Sequence, residues 1–165
     1  MAGTGDGLTF SPKKSFSRAM FVAVLASLDY ADTSSYTGSH FPDVKTSVWY
    51  AKAVELAYQN GYTQGNSDGR FAPNEAVTRE TLAVFFYNYV QKKGWTIEET
   101  PANLSAYPDG KQVSSWARDA MAWAVSAGII GGVKEGETVW LKPKKTASRA
   151  EVAQIVMSFW FYVNA

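Results

Sequence analysis

The sequence predicts an all-α protein made of tandem short helix–loop–helix repeats joined by glycine- and proline-rich turns. Three observations support this fold class. An arginine-led helical pattern occurs three times in one register, a tryptophan-led pattern occurs twice between those copies, and glycine or proline marks the turns. Self-similarity of this kind is typical of repeat proteins, whose units bury their apolar faces against each other.

The arginine-led pattern starts with an apolar residue and x-Pro, and the arginine follows after five further residues. Apolar residues then occur at positions +3, +6, +7 and +10 after each arginine, which is the spacing of one face of an amphipathic helix. Ser17, Thr78 and Ser148 precede the arginines as N-caps, and Ser148 forms a capping box with Glu151. The three copies align without a gap: "LTFSPKKSFSRAMFVAVLASL" (8–28), "GRFAPNEAVTRETLAVFFYNY" (69–89) and "VWLKPKKTASRAEVAQIVMSF" (139–159).

The tryptophan-led pattern predicts a short helix that ends in a glycine C-cap and a second glycine turn. Small or apolar residues follow each tryptophan at +4, +7 and +8, and glycines follow at +12 and +16. Asp43 and Asp109 precede the tryptophans and could cap or orient the turn before the helix. The two copies are "FPDVKTSVWYAKAVELAYQNGYTQG" (41–65) and "YPDGKQVSSWARDAMAWAVSAGIIGG" (107–132).

Polar stretches separate these patterns and divide the chain. Residues 29–40 and 91–107 are predicted to be loops or linkers. The predicted units are the second half of a first repeat at 1–40, a complete repeat with its linker at 41–106, and a complete repeat at 107–165. The first repeat therefore lacks its tryptophan-led half.

The composition and net charge of the chain argue against several classes of function and of chemical site. The 165 residues are 46% hydrophobic and 19% charged, which is typical of a globular chain. A net charge of +1 does not favour nucleic-acid binding, and the absence of cysteine excludes disulfides and thiolate metal sites. No apolar run reaches the roughly 18 residues that a membrane span needs. The first ten residues lack the basic and apolar regions of a signal peptide.

No group of residues in the sequence indicates catalysis or metal binding. His40 is the one histidine and is expected in a loop, and the Glu98–Glu99 pair falls in a polar linker, whereas a glycosidase needs two carboxylates in a shaped cleft. "GNSDGRF" (65–71) has some features of a calcium loop, but its single aspartate before glycine favours a glycine turn. We therefore predict no enzymatic activity, no cofactor and no metal.

The ordered set of "FPDV…W", "YPDG…W", "GIIGG" and the "SRAM", "TRET" and "SRAE" helix starts resembles the S-layer homology (SLH) family. This resemblance implies a non-catalytic, extracellular anchor on the bacterial cell wall. It implies three units around a pseudo-threefold axis, with grooves between units that bind an anionic, often pyruvylated, secondary cell-wall polysaccharide. The chain departs from the family pattern at Leu141, in two of the four-residue motifs and in its incomplete first unit.

The resemblance places the family's binding arginine on Arg18, Arg79 and Arg149. A cation in the first helical turn is mildly unfavourable, and a guanidinium beside free helix N–H groups suits a ligand carboxylate. The alternative is a purely structural helix start in which the arginine stem packs on its neighbours. The lysines of "KPKK" (142–145) and "PKK" (12–14) either form ordinary surface charge or add positive potential for an anionic glycan.

The remaining candidate residues could likewise have either a ligand-binding role or a structural role. Trp49 and Trp116 could stack on sugar rings, but we favour a core position with an edge exposed. Trp123 is expected in the core. Gly65 and Gly132 would let backbone N–H groups approach a ligand. The candidate ligand-binding set is Arg18, Arg79, Arg149, Trp49, Trp116, Gly65, Gly132, Asp43 and Asp109.

The alternative function is a protein-interaction or assembly module. An unmatched half-repeat could be completed by self-association or by a complementing N-terminal fragment. No nucleic-acid or membrane partner is predicted.

Overall fold

The computed structural model describes residues 9–97 and 100–164. The pair Glu98–Glu99 and the first eight residues, for which the sequence predicts a polar linker and no signal peptide, lie outside the described residues. The α-helices are α1 (Arg18–Leu28), α2 (Ala51–Gln59), α3 (Arg79–Lys92), α4 (Arg118–Ser126) and α5 (Arg149–Val163). Short 3-10 helices span Leu104–Ala106, Gly110–Gln112 and Ser115–Ala117, and a hairpin pairs β1 (Val133–Glu135) with β2 (Thr138–Trp140).

The mostly helical architecture confirms the prediction, and the small antiparallel sheet corrects its all-α form. Val133 pairs with Trp140 and Glu135 with Thr138 across a tight turn in which Gly136 has a φ of 61°. Glycine adopts this left-handed conformation without steric cost, so the glycine-rich segment before the third x-Pro folds back as a hairpin. No helix within the described residues is both long and apolar enough to cross a membrane.

The three arginine-led helices begin at the predicted arginines with the predicted caps. The hydroxyls of Ser17, Thr78 and Ser148 accept hydrogen bonds from backbone amides at 3.3, 3.2 and 3.3 Å. Glu151 closes the capping box by accepting from the Ser148 backbone N–H at 2.8 Å. Each cap satisfies one of the N–H groups that a helix start leaves free.

The two tryptophan-led helices end as the glycine positions predict. Gly61 and Gly128 have φ values of 74° and 68°. The following residues complete the C-caps, because Tyr62 donates its N–H to the Ala57 carbonyl at 2.8 Å and Ile129 donates to Ala124 at 2.9 Å. This pattern satisfies the last helical carbonyls.

Backbone hydrogen bonds join the three copies into closed circuits. The N–H of Phe16 donates to the Ala147 carbonyl at 3.1 Å, that of Ala147 to Val77 at 2.8 Å, and that of Val77 to Phe16 at 2.8 Å. All three residues are buried. Each copy therefore contacts both others through equivalent backbone atoms.

A shared aromatic core lies between the three arginine-led helices. The ring of Phe21 on α1 lies 5.3 and 5.1 Å from the rings of Phe85 and Phe86 on α3, and Phe86 stacks on Phe159 of α5 at 4.1 Å. Outside this core, α2 packs on α1 and α4 packs on α3. A tryptophan-led helix thus covers the arginine-led helix that precedes it in the chain.

Candidate functional site

Each predicted arginine connects its own copy to the next. The Nε atoms of Arg18, Arg79 and Arg149 donate to the carbonyls of Phe71, Leu141 and Phe10, each at 2.8 Å. These carbonyls belong to the apolar residue of the x-Pro turn in the neighbouring copy. We call the three contacts the α1 junction (Arg18–Phe71), the α3 junction (Arg79–Leu141) and the α5 junction (Arg149–Phe10).

Burial and aromatic contact account for the arginine at a helix start. The three arginines are only 8%, 5% and 5% exposed. Burial lowers the pKa of Arg18 and Arg79, and nearby carboxylates oppose that change. The guanidinium of Arg18 also lies 5.0 Å from the Phe71 ring centroid, and that of Arg149 lies 5.2 Å from Phe10. The junctions therefore give the arginines a structural role, while direct contact with a ligand stays a prediction.

The two predicted aspartates hold the x-Pro turns and do not cap the tryptophan-led helices. Asp43 accepts from the amides of Phe71 and Ala72 at 3.0 and 2.8 Å. Asp109 accepts from Leu141 and Lys142 at 2.9 and 2.7 Å. The N-cap residues of α2 and α4 are Tyr50 and Ala117, which make no side-chain capping bond. The capping interpretation is therefore wrong, because the carboxylates bind turns that lie about 30 residues later, at separations of 28 to 33.

The aspartate contacts have an electrostatic consequence. Desolvation by burial would raise the pKa of Asp43, but the hydrogen bonds from Phe71 and Ala72 outweigh it and lower that pKa. The ionised carboxylate is thus the form that fixes the turn whose carbonyl the arginine contacts. Aspartate, x-Pro turn and arginine form one connected unit at both the α1 and the α3 junction.

The predicted glycines are required by close packing. A Cβ on Gly65, whose φ is 76°, would lie 2.5 Å from the Phe41 ring, and a Cβ on Gly132 would lie 2.2 Å from Val139. The Gly65 N–H donates to the Thr63 hydroxyl at 3.1 Å. In the loop from 65 to 71, Gly69 donates to the Asn66 carbonyl at 3.0 Å, as a glycine turn requires. Ligand contact by the Gly65 and Gly132 amides stays a prediction.

The core interpretation of Trp49 and Trp116 is wrong. Their exposed fractions are 69% and 61%, whereas Trp123 is buried as predicted. The cause is that α2 begins at Ala51 and α4 at Arg118, so Trp49 lies in the turn before α2 and Trp116 lies in the 3-10 helix before α4. Neither tryptophan therefore belongs to the apolar stripe that the helix buries.

A polar groove lies beside the α3 junction, with a volume of about 320 Å³. Its lining residues, which we call the lysine groove, are Asp109, Gln112, Glu135, Trp140, Lys142, Lys144 and Lys145. Exposed Trp116 lies next to it, with the Lys144 ammonium 6.0 Å from the ring centroid. Cations and aromatic faces are therefore adjacent at this surface.

A buried carboxylate that the sequence patterns did not indicate contacts the lysine groove through Lys144. Glu80 is 2% exposed and accepts from the backbone N–H and the hydroxyl of Ser114, both at 3.0 Å. Lys144 donates to the same carboxylate at 2.6 Å. Lys145 pairs with Glu151 at 2.6 Å, and Lys142 pairs with Glu135. The one sequence signal for this network was the glutamate of "TRET", which replaces the alanine of "SRA".

A second, larger groove is mainly apolar and lies between α1 and α5. Its volume is about 550 Å³. It brings together two predicted site residues, Arg149 and Trp49, with apolar residues of both helices. We call it the α1/α5 groove, and its lining residues are Phe16, Met20, Ala23, Val24, Ser27, Leu28, Tyr30, Trp49, Arg149, Val156 and Trp160. Asp109 lies in the lysine groove, so the predicted set does not form one site.

Within the described ranges, no cluster of three or more histidine, cysteine, aspartate or glutamate side chains could hold a metal ion.

Comparison with known proteins gives one family and several long relatives. A model described as "S-layer homology domain" matches residues 40–83 and 106–153. The chain is 36% identical over 155 residues to an amylopullulanase of Thermoanaerobacterium thermosulfurigenes, a match that covers 92% of this chain and 8% of that protein. It is 28% identical over 153 residues to a surface-layer 125 kDa protein of Lysinibacillus sphaericus, covering 93% and 12% respectively. It is also 28% identical over 160 residues to a cellulosome-anchoring protein of Acetivibrio thermocellus, covering 94% and 34%. The chain thus spans a minor part of the length of these relatives.

Proposed function

This chain belongs to the S-layer homology domain family, and we propose that it anchors a larger protein by binding an anionic secondary cell-wall polysaccharide. The family match, together with the surface-layer and cellulosome-anchoring relatives, indicates a location outside the cell, at the cell wall or cell surface. The module is a non-catalytic anchoring domain. Its match to the amylopullulanase covers only 8% of that enzyme.

The observation that carries the glycan proposal is the lysine groove at the α3 junction. Three lysines and Trp140 line it, and exposed Trp116 stands at its edge. Each ammonium has three donors, so the carboxylate that it already contacts leaves donor capacity for an acidic sugar substituent. The indole rings supply rigid apolar faces for the sugar rings themselves.

The α1 junction is the internal comparison that favours this groove. Alignment of the second and third arginine-led copies puts Ala72, Asn74 and Glu75 where the third copy has Lys142, Lys144 and Lys145. The α1 junction thus has none of the three cations, and Trp49, which corresponds to Trp116 in the tryptophan-led pattern, lines the α1/α5 groove. We propose that an anionic glycan prefers the α3 junction because of this charge difference.

The arginines, aspartates and glycines support the groove in this proposal. Arg79 and Asp109 hold the backbone of Leu141 through hydrogen bonds. Gly132 has no side chain, so Val139 can pack closely against Gly132. A carboxylate of the glycan that reached Arg18, Arg79 or Arg149 would add a direct contact to this supporting role. We further propose that the three copies, within units at 1–40, 41–106 and 107–165, surround a pseudo-threefold axis, and the closed backbone circuits support this arrangement.

The test is binding of purified pyruvylated wall polysaccharide and of the same polymer after removal of its ketal groups. We expect the double variant Lys144→Ala and Trp116→Ala to weaken binding by about tenfold or more, which corresponds to about 1.4 kcal/mol. The matched control changes the equivalent positions, Asn74→Ala and Trp49→Ala, and should change affinity by less than about twofold. Equal losses in both variants would overturn the preference for the lysine groove, and no binding of either polymer would overturn the glycan proposal.

The arginine role needs its own measurement. Arg79→Ala should be compared with wild type for both unfolding free energy and glycan affinity of the folded fraction. A loss of stability with unchanged affinity would remove Arg79 from the ligand-binding set and leave its role at the junction. A loss of affinity in fully folded protein would support direct contact.

A further inference from the structure

The backbone is held in the same way at all three junctions. In each one, the residue after the arginine donates its N–H to the carbonyl of the proline in the x-Pro turn. The three pairs are Ala19–Pro73, Glu80–Pro143 and Ala150–Pro12, at 3.0, 3.1 and 3.0 Å. The junctions therefore differ in the side chains that this common backbone carries.

Two of these side chains differ in charge between the junctions. The residue after the arginine is alanine at the α1 and α5 junctions and Glu80 at the α3 junction. The residue after the proline is Asn74 at the α1 junction, Lys144 at the α3 junction and Lys13 at the α5 junction. Because alanine serves the same helix position in two copies, formation of the helix does not explain a buried carboxylate, which needs hydrogen-bond partners to be tolerated.

Glu80, Ser114 and Lys144 form a closed triangle of hydrogen bonds. The Ser114 hydroxyl donates to Oε1 of Glu80 at 3.0 Å, and the Lys144 ammonium donates to the same oxygen at 2.6 Å and also to the Ser114 hydroxyl. An ammonium has three donors, so two are used and one is left. The Lys144 side chain is 52% exposed, against 3% for Glu80, so the remaining donor is accessible from the groove.

The triangle holds a cation and an aromatic ring in one place. Glu80 also accepts from the Ser114 backbone N–H at 3.0 Å, and Trp116 follows two residues later. The Lys144 ammonium lies 6.0 Å from the Trp116 ring centroid. A lysine side chain loses much rotamer freedom when a ligand fixes it, and here folding has already imposed part of that loss.

We propose that Glu80 is a positioning residue of the lysine groove, which holds the Lys144 ammonium beside Trp116 and leaves one of its donors for an acidic group of the ligand. The ligand class, an anionic glycan, rests on the proposed function, whereas the fixed position of Lys144 does not. Lys13 is the internal reference, because the equivalent of Glu80 at its junction is Ala150, which offers no carboxylate.

The first test needs no glycan and uses carbon-13 NMR relaxation of the lysine Cε groups in the full chain. We expect a higher order parameter for Lys144 than for Lys13 in wild type. In Glu80→Gln, which keeps an acceptor for the Ser114 N–H but loses the charge, the order parameter of Lys144 should fall to that of Lys13. Equal values for the two lysines in wild type, or an unchanged value for Lys144 in Glu80→Gln, would overturn the proposal.

The second test measures affinity for purified pyruvylated wall polysaccharide. Glu80→Gln should weaken binding by about fivefold through loss of the fixed ammonium, although the variant is more positive than wild type. Glu137→Gln makes the same charge change at an exposed residue outside the groove lining and should leave binding unchanged. Lys144→Ala should cost about fivefold in wild type but less than about twofold in the Glu80→Gln background, because the two residues act as one unit.

Urea unfolding of every variant separates binding from folding, since a purely structural Glu80 would lower stability and leave the affinity of folded protein unchanged. If Glu80→Gln does not fold, Ser114→Ala replaces it, because that variant removes the hydroxyl and keeps the backbone N–H. Additive effects in the Lys144 cycle, or unchanged or tighter binding by folded Glu80→Gln, would contradict the positioning role. If wild type binds no glycan, the proposed function fails, and the NMR measurement still decides whether Glu80 fixes Lys144.

Discussion

The helices α3 and α5 start alike and differ along their outer faces. Both begin with a capped arginine whose Nε reaches a carbonyl of the next copy, and their inner rings stack through Phe86 and Phe159. On the outer face, α3 is covered by α4, whereas α5 has exposed Met157 and Trp160. The comparison shows that the arginine-led motif determines the inner assembly, and that the tryptophan-led helix determines whether the outer face becomes core.

The largest expected effect comes from the tryptophan that covers α3. Trp123→Ala removes a buried indole between α3, α4 and α5, and we expect a loss of about 3–5 kcal/mol in unfolding free energy. Trp160→Ala on the open face of α5 should change it by no more than about 0.5 kcal/mol. Urea unfolding measures both. Similar losses in the two variants would mean that the α5 face is packed in solution.

Substitution of a junction arginine by alanine should lower the unfolding free energy by less than Trp123→Ala does. Arg79→Ala leaves the buried Leu141 carbonyl without its charged donor, which should cost about 3 kcal/mol. Arg149→Ala should cost about 1–2 kcal/mol, because Phe10 at the α5 junction is 40% exposed and water can reach its carbonyl. Arg70→Ala, at an exposed pair 3.9 Å from Asp68, is the control and should be nearly neutral. A larger loss for Arg149→Ala than for Arg79→Ala would contradict this ranking.

The capping box at the start of α5 should make the stability of the protein depend on pH, whereas the start of α3 has a hydroxyl cap without an acidic partner. Burial alone would raise the pKa of Glu151, but hydrogen bonds from Lys145 and Ser148 outweigh it and lower that pKa from 4.5 to about 2. Its contribution to stability is therefore present above about pH 4.5 and is lost as the pH falls through about 2.

The matching variant is Glu151→Gln. It should lose about 1 kcal/mol near neutral pH and should converge with wild type as the pH approaches 2, in chemical unfolding at several pH values. Thr81 occupies the same position on α3, so Thr81→Ala should show no such pH dependence. A constant difference between wild type and Glu151→Gln across this range would contradict the assigned pKa.

Local patterns determined the helices well. The hydroxyl caps, the start of each arginine-led helix and the glycine C-caps at Gly61 and Gly128 all follow from bonds between residues a few positions apart. Such bonds depend only on neighbouring residue types, which the sequence states directly. The repeat order and the family membership were predictable for the same reason.

The sites depended on contacts across the chain. Arg79 reaches Leu141 over 62 positions, Asp109 reaches Leu141 over 32, and Ser114 reaches Glu80 over 34. No local pattern encodes these distances, so the sequence left the aspartates as possible caps and gave Glu80 no role. Trp49 and Trp116 were misassigned because a shift of two residues in the helix start moves a side chain from the buried stripe to the surface.

The sequence by itself determined the repeated helices, their caps and the family of this protein. Only the tertiary structure decided that the arginines join the copies, that three lysines line one groove with Lys144 beside Trp116, and that part of the outer face of α5 is exposed. The physical reason is that hydrogen-bonded caps and apolar periodicity act within one helix, whereas burial and charge pairing depend on which helices meet.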